Sequence, residues 1–188
     1  MRFSHRLIPF LFLPAGLGIL LRLIQATSLA EGLLAIALIL FCPELARMAL
    51  VDVSNLTAIA QQQQDTRLDR FRNVVNSTIV LELAGFYIAF FSLPAGAIIV
   101  IFSQLWFNLL AGIELHPKSV PSVTSLGIPE RTPLLIANGL GLFLLGLWVL
   151  WPNSNIRTGS AAGLSLLITL FLGLKYLLPS IGAKDPDD

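Results

Sequence analysis

Charged side chains are scarce in this chain of 188 residues. Lysine, arginine, aspartate and glutamate supply only 12% of the sequence, whereas hydrophobic residues supply 55%, and the mean hydropathy is +0.81. A soluble domain carries roughly a quarter of its residues as charged side chains. The shortage excludes an ordinary water-exposed surface, so the sequence predicts a protein surrounded by lipid. The net charge of only +1 also argues against a nucleic-acid partner.

Cysteine and histidine are also nearly absent. Cys42 is the only cysteine, which excludes an intramolecular disulfide, and His5 and His116 are the only histidines. The sequence contains no H-E-x-x-H, G-x-S-x-G, P-loop or C-x-x-C motif. We therefore expect no catalytic residue, no metal site and no cofactor, and we do not expect an enzyme.

The chain instead contains six apolar segments separated by polar breaks. A helix needs about 20 apolar residues to cross a bilayer, and open sheets cannot cross because their edge N–H and C=O groups would stay unpaired. We predict an all-α integral membrane bundle of about six transmembrane helices, forming one domain over residues 1–188. The predicted spans cover about 7–24, 29–51, 74–91, 94–113, 133–151 and 160–178.

Local signals mark several of these limits. Ser28 and Glu31 form a capping box at the start of the second span. Pro94, directly after Ser92 and Leu93, suits the first turn of a helix, which predicts a tight hairpin between the third and fourth spans. Pro43 interrupts the second span. Either this helix kinks and continues to Val51, which we favour, or the segment is re-entrant and residues 44–64 lie along the surface.

The basic residues are distributed unevenly among the connections. If the N-terminus lies inside, ten of the twelve lysines and arginines fall on the inner side, and only Arg22 and Arg157 fall outside. Inner loops of membrane proteins carry an excess of lysine and arginine. This pattern predicts a multi-pass protein with both termini on the cytoplasmic-type side of a membrane that the sequence does not identify.

One long polar stretch covers residues 52–73. It is either the solvated start of the third helix or a docking arm for a partner or for anionic lipid headgroups. In the second case Arg67, Arg70 and Arg72 would bind the anionic surface, each contributing about 1 kcal/mol.

Glu82 lies in the middle of the third apolar span, where an ionisable group is costly and usually has a partner. Counted from Leu93 in the hairpin turn, Glu82 and Gln104 are equally distant, and so are Thr78 and Asn108. We therefore predict a polar ladder of two rungs across the hairpin. The ladder is either a set of hydrogen bonds that holds the helices together or a proton or substrate site.

Small and polar side chains also recur at every fourth position of the sixth span. Ala161, Ser165, Thr169 and Gly173 form a stripe that suits close helix packing, either within the chain or against another subunit. Glu44 and Arg47, three residues apart, are expected to pair.

Two functions are consistent with these features. The first is a small accessory or assembly subunit that docks into a larger membrane complex, with lipid and other membrane subunits as its partners. The alternative is a small transporter or proton-coupled carrier that uses Glu82. The first function predicts that the small-residue faces contact a partner. The second predicts a water-accessible cavity near Glu82.

Overall fold

Six helices and one short hairpin form the described part of the chain, which comprises residues 7–62, 65–116 and 122–177 of a computed structural model. In chain order the elements are α1 (Ile8–Ile24), α2 (Leu29–Ala60), α3 (Thr66–Phe91), α4 (Leu93–Leu110), β1 (Ile113–His116), β2 (Ser122–Ser125), α5 (Ile128–Leu150) and α6 (Ser154–Leu177). Helices α2 to α6 are long and apolar enough to cross a membrane, and α1 is shorter, with 17 residues. The predicted all-α membrane bundle is confirmed, and the protein is a multi-pass membrane protein.

The second helix continues past Pro43, as the favoured interpretation predicted, but it is longer than predicted. Helix α2 continues through Pro43 without a break and ends at Ala60, so it is about 48 Å long and contains no re-entrant turn. It extends beyond Val51 because Val53, Leu56 and Ile59 are buried at helical spacing and prolong its packing face.

The described part of the polar stretch is shared between two helices. Its first part is the end of α2 and its last part is the start of α3, where Leu68 and Phe71 are buried in the core. Asp65 caps α3 by accepting the backbone N–H of Arg67. The described ends of the two helices therefore pack into the bundle, as expected for the start of a long third helix.

The predicted tight hairpin joins α3 to α4 through Ser92 alone. The two helices approach closely at Gly85 and Gly96. A Cβ atom on Gly96 would lie 2.4 Å from the backbone nitrogen of Ala89 and 2.4 Å from the carbonyl oxygen of Gly85. Only glycine therefore fits at this contact, where the backbones themselves meet.

The connection from α4 to α5 contains an antiparallel hairpin that the sequence analysis did not predict. Ile113 pairs with Ser125 and His116 with Ser122. Helix α4 ends at Leu110 rather than near residue 113, because Gly112 adopts a left-handed conformation with φ of 66°. Strands of four residues are too short for a recognisable alternating pattern.

The last two helices begin earlier than predicted. Helix α5 begins at Ile128 because Pro129 occupies its first turn, where proline is tolerated. Helix α6 begins at Ser154 because the side chain of Asn153 accepts the backbone N–H of Asn155 over 2.8 Å. These shifts move residues that had been assigned to loops into the helical bundle.

The helices are arranged around α2, which contacts α1, α3, α4, α6 and strand β1. Helix α5 packs between α4 and α6. This arrangement places α2, α4, α5 and α6 around a common interior next to the β1–β2 hairpin.

Candidate functional site

A cavity of about 370 Å³ lies among α2, α4, α5 and α6, against strand β1. Its walls are mainly apolar and include Phe41, Phe71, Phe107 and Phe171. Polar side chains interrupt these walls at a few places, namely Asp52, Asn55, Gln104, Asn108, Glu114, Arg131 and Asn138. Sites for small molecules have this size and this combination of apolar walls with a few polar groups.

Arg131 is the buried cation of this cavity, with only 6% of its surface exposed. Its guanidinium donates to the backbone carbonyls of Asn108 (2.6 Å), Leu126 (2.9 Å) and Gly127 (3.2 Å). The carbonyl of Asn108 lies in the last turn of α4, where the helix dipole favours a positive charge. Among the described residues, no carboxylate forms an ion pair with Arg131.

Sequence reasoning missed Arg131 because it placed the residue in a loop outside the span. The signal that could have found it is Pro129, which is compatible with the first turn of a helix. A helix starting there carries Arg131 into the bundle.

The first rung of the predicted ladder is present. The side-chain Nε2 of Gln104 donates to Oε1 of Glu82 over 2.7 Å, and both side chains are buried. This bond joins α4 to α3 in the interior, as the equal distance from the turn predicted. The role of the bond stays a prediction.

The second rung is not formed. The side-chain amide of Asn108 donates to the carbonyl of Gln104 in its own helix over 2.9 Å, which satisfies it without Thr78. The side-chain amide of a helical residue can donate to the backbone carbonyl four residues before it. The prediction compared only the distances of Thr78 and Asn108 from the turn and did not consider this alternative acceptor. The side-chain oxygen of Thr78 is buried and has no hydrogen-bond partner among the described residues.

A small space of about 10 Å³ adjoins the remaining oxygen of Glu82. It is lined by Glu82, Thr78, Asp52 and Gln104, among others. Oε2 of Glu82, like the hydroxyl of Thr78, has no hydrogen-bond partner in the described part of the chain. The volume is that of about one water molecule, and a water there would meet several polar partners.

Two polar residues connect this small space with the large cavity. Asp52 and Gln104 line both of them. Gln104 also holds Glu82 directly. The intramembrane carboxyl group therefore lies one residue away from the cavity wall.

A second polar cluster joins α2 to α6. The buried carboxylate of Glu44 accepts bonds from Arg47 (2.8 Å), Lys175 (2.6 Å) and the hydroxyl of Tyr176 (2.5 Å). The predicted pairing of Glu44 with Arg47 is confirmed. Lys175 and Tyr176 were not foreseen as partners, because they lie more than 130 residues away along the chain.

The three arginines predicted to form a docking arm are in the described region. Arg67 binds the carboxylate of Asp65 and the hydroxyl of Ser125, and the hydrogen bonds from its side chain and backbone, together with its charge, lower the pKa of the Asp65 carboxyl group. Arg72 pairs with Asp69 over 2.7 Å, and Arg70 is exposed. Two of the three charges therefore have an acidic neighbour, and docking through them stays a prediction.

The small-residue stripe on α6 is divided between two environments. Ala161 is buried, and the hydroxyl of Ser165 donates to the carbonyl of Leu33 on α2 over 3.0 Å. Thr169 is exposed and bonds within its own helix, and a Cβ on Gly173 would meet nothing within 4 Å. The first half of the stripe thus packs within the chain.

Comparison of the chain with models of protein families, with curated proteins and with solved structures finds no match. Within the described residues, no group of three or more histidine, cysteine, aspartate and glutamate side chains could hold a metal ion. Function is therefore inferred from the chemistry of the cavity and its surroundings.

Proposed function

We propose that the protein is a small carrier that binds a small molecule in the central cavity and couples its movement to the protonation of Glu82. The observation that carries this proposal is the placement of Gln104, which lines the cavity and holds Glu82. The size and mostly apolar walls of the cavity support binding of a small organic molecule.

The position of Glu82 supports its use as a proton site. A carboxylate buried in the hydrocarbon region is costly unless it is paired, so a neutral carboxyl group is favoured there. Gln104 donates to Oε1, which suits the carbonyl oxygen of the neutral form. Oε2 would then carry the proton and faces the small space shared with Asp52. Protons can exchange through one water at that position.

The proposed orientation follows from the basic residues and from the order of the helices. We place both termini and the α2–α3 connection on the cytoplasmic side. The connection between α4 and α5, with its hairpin, then also faces the cytoplasm. This orientation gives the cavity a cytoplasmic entrance beside Arg131, with Glu82 deeper in the membrane.

Cysteine accessibility in the intact membrane tests the proposal. In a Cys42→Ala background, we expect Asn138→Cys on the cavity wall to react with a charged, water-soluble methanethiosulfonate. Ile136→Cys is the matched control, because this neighbouring side chain of α5 is 65% exposed on the outer surface of the bundle, where lipid shields it from the reagent. Absence of reaction at Asn138→Cys from either side of the membrane would contradict a carrier.

Coupling to Glu82 has its own measurement. We expect the reaction rate of Asn138→Cys, divided by that of exposed Gln62→Cys, to change between pH 5.5 and pH 8. The division corrects for the pH dependence of an exposed thiol, and the comparison with Glu82→Gln isolates the part that depends on Glu82. Adding Glu82→Gln should abolish the change. A ratio that keeps its pH dependence in that variant would assign the coupling to another group.

Docking into a larger membrane complex is the second candidate function. The observation that favours it is the low burial of α5. Only 17% of the apolar stretch of this helix is buried within the chain. Purification in mild detergent, followed by identification of co-purifying chains, tests this function. A monodisperse single chain, in a preparation where Asn138→Cys reacts, would support the carrier instead.

A further inference from the structure

The guanidinium of Arg131 has donors left after its structural contacts are made. A guanidinium carries five N–H groups, and three of its bonds here go to backbone carbonyls. The side chain lines the cavity and is held in place from several directions. A buried, fixed and planar guanidinium is suited to bind a carboxylate through two parallel bonds.

The other charged groups on the cavity wall do not neutralise Arg131. The side chain of Glu114 is 54% exposed and lies 3.8 Å from His116, at the edge of the cavity. Asp52 is within electrostatic reach of Arg47 and Lys175. These two cations form ion pairs with the carboxylate of Glu44, and among the described residues Asp52 forms no ion pair with Arg131. Arg131 is therefore the one cation among the described lining residues, and no carboxylate of the described chain is paired with it.

We infer that the ligand of the cavity is an organic carboxylate with an apolar, preferably aromatic, body. Its carboxylate binds Arg131, and its body packs against Phe107 of α4 and Phe171 of α6, which line the cavity. This inference rests on the proposed function, because it assumes that the cavity is a small-molecule site. It adds the chemical class of the ligand and the residue that recognises it.

Four probes with one ring system and different charges test the inference by calorimetry on the full chain in detergent. They are indole-3-acetate, its neutral amide indole-3-acetamide, the cation tryptamine and the zwitterion tryptophan. We expect indole-3-acetate to bind at least tenfold more tightly than the amide. We also expect weaker binding of tryptamine, because it places a cation beside Arg131.

Variants of Arg131 and of the cavity wall locate the binding. Arg131→Gln should weaken indole-3-acetate binding at least tenfold, and Arg131→Lys should weaken it less, because lysine keeps the charge but not the planar fork. If Arg131→Gln fails to fold, Ala137→Trp provides the second test. It places a large side chain in the cavity and leaves Arg131 and the residues that hold it unmutated, and it should abolish binding of indole-3-acetate.

The outcomes separate this inference from the proposed function. Equal binding of the acid and the amide, or tighter binding of tryptamine or tryptophan, would overturn the carboxylate class. Loss of tryptamine binding in Asp52→Asn would then assign recognition to Asp52, while the cavity remained a ligand site. Failure of all four probes to bind also overturns the inference. The carrier function is judged independently by the reactivity of Asn138→Cys.

Discussion

Nε2 of Gln104 lies 2.7 Å from Oε1 of Glu82, and this hydrogen bond joins α4 to α3 inside the bundle. The second carboxyl oxygen of Glu82 faces a small space that Asp52 also lines. One bond therefore joins the two helices of the hairpin and links a buried carboxyl group to a residue of the cavity wall. The stability and the function that depend on this bond can be separated by mutation.

Glu82→Gln should keep the fold, and Glu82→Leu should weaken it. The amide oxygen of glutamine can still accept the bond from Gln104, whereas leucine leaves that buried donor without its partner on α3. We expect Glu82→Leu to lower the free energy of unfolding by about 1–3 kcal/mol. Unfolding in mixed detergent measures this loss of free energy. Val80→Leu, on the exposed face of the same helix, is the control. A Glu82→Leu protein as stable as the wild type would make the bond energetically unimportant.

Gly96→Ala should be among the most damaging small substitutions in the chain. The added methyl group would meet backbone atoms of α3 at 2.4 Å, and backbone cannot move aside as a flexible side chain can. We expect a loss of about 1–3 kcal/mol or more in unfolding free energy. Gly139→Ala is the matched control, because a Cβ there meets nothing within 4 Å. Equal stability of the two variants would refute the close contact between α3 and α4.

Glu44→Gln should loosen the contact between α2 and α6. The substitution removes the charge that binds both Arg47 and Lys175. We expect a loss of about 2–3 kcal/mol, less than for a fully buried ion pair because both cations remain partly exposed. Tyr176→Phe removes one hydrogen bond to the same carboxylate from an exposed side chain and should cost less. The reverse order of the two losses would contradict the central role of Glu44.

Changing Arg67, Arg70 and Arg72 together to Gln should reduce docking without unfolding the bundle. The ion pairs of Arg67 and Arg72 are partly or fully exposed, and such pairs contribute little to stability. We expect fewer anionic lipids or partner chains to co-purify, measured by mass spectrometry of the detergent-purified protein. Arg22→Gln combined with Arg157→Gln, on the proposed outer side, is the control. A bundle that falls apart in detergent would show that these arginines are structural.

Reporter tags test the proposed orientation. Tags at Met1, Gln62 and Asp188 should report one side of the membrane, and a tag at Asn153 should report the other. Helix α1 decides this outcome because its 17 residues span only about 26 Å, the lower limit for crossing. If the Met1 tag reports the same side as Asn153, while Gln62 and Asp188 stay on the other side, α1 does not cross and the bundle has five spans.

The sequence by itself determined the lipid environment, the helical class and the α3–α4 hairpin. Composition, the length of the apolar segments and the Ser92–Pro94 turn are local properties, and they do not depend on how distant parts of the chain pack. The contact between Glu82 and Gln104 was predictable for a related reason. Two stiff helices that leave one tight turn keep residues at equal distances from the turn side by side.

Only the tertiary structure decided the cavity, the place of Arg131 in it and the attachment of Lys175 to Glu44. These features depend on how α5 and α6 are rotated relative to α2, and the spacing of residues along the chain does not specify that rotation. Thr78 and Asn108 show that residue spacing is also insufficient within the hairpin. Their equal distance from the turn does not determine which acceptor the Asn108 amide binds. The position of Arg131 depends on both the local sequence and the tertiary packing. Its sequence neighbours set the start of α5, but only packing against the end of α4 made its charge part of an interior site.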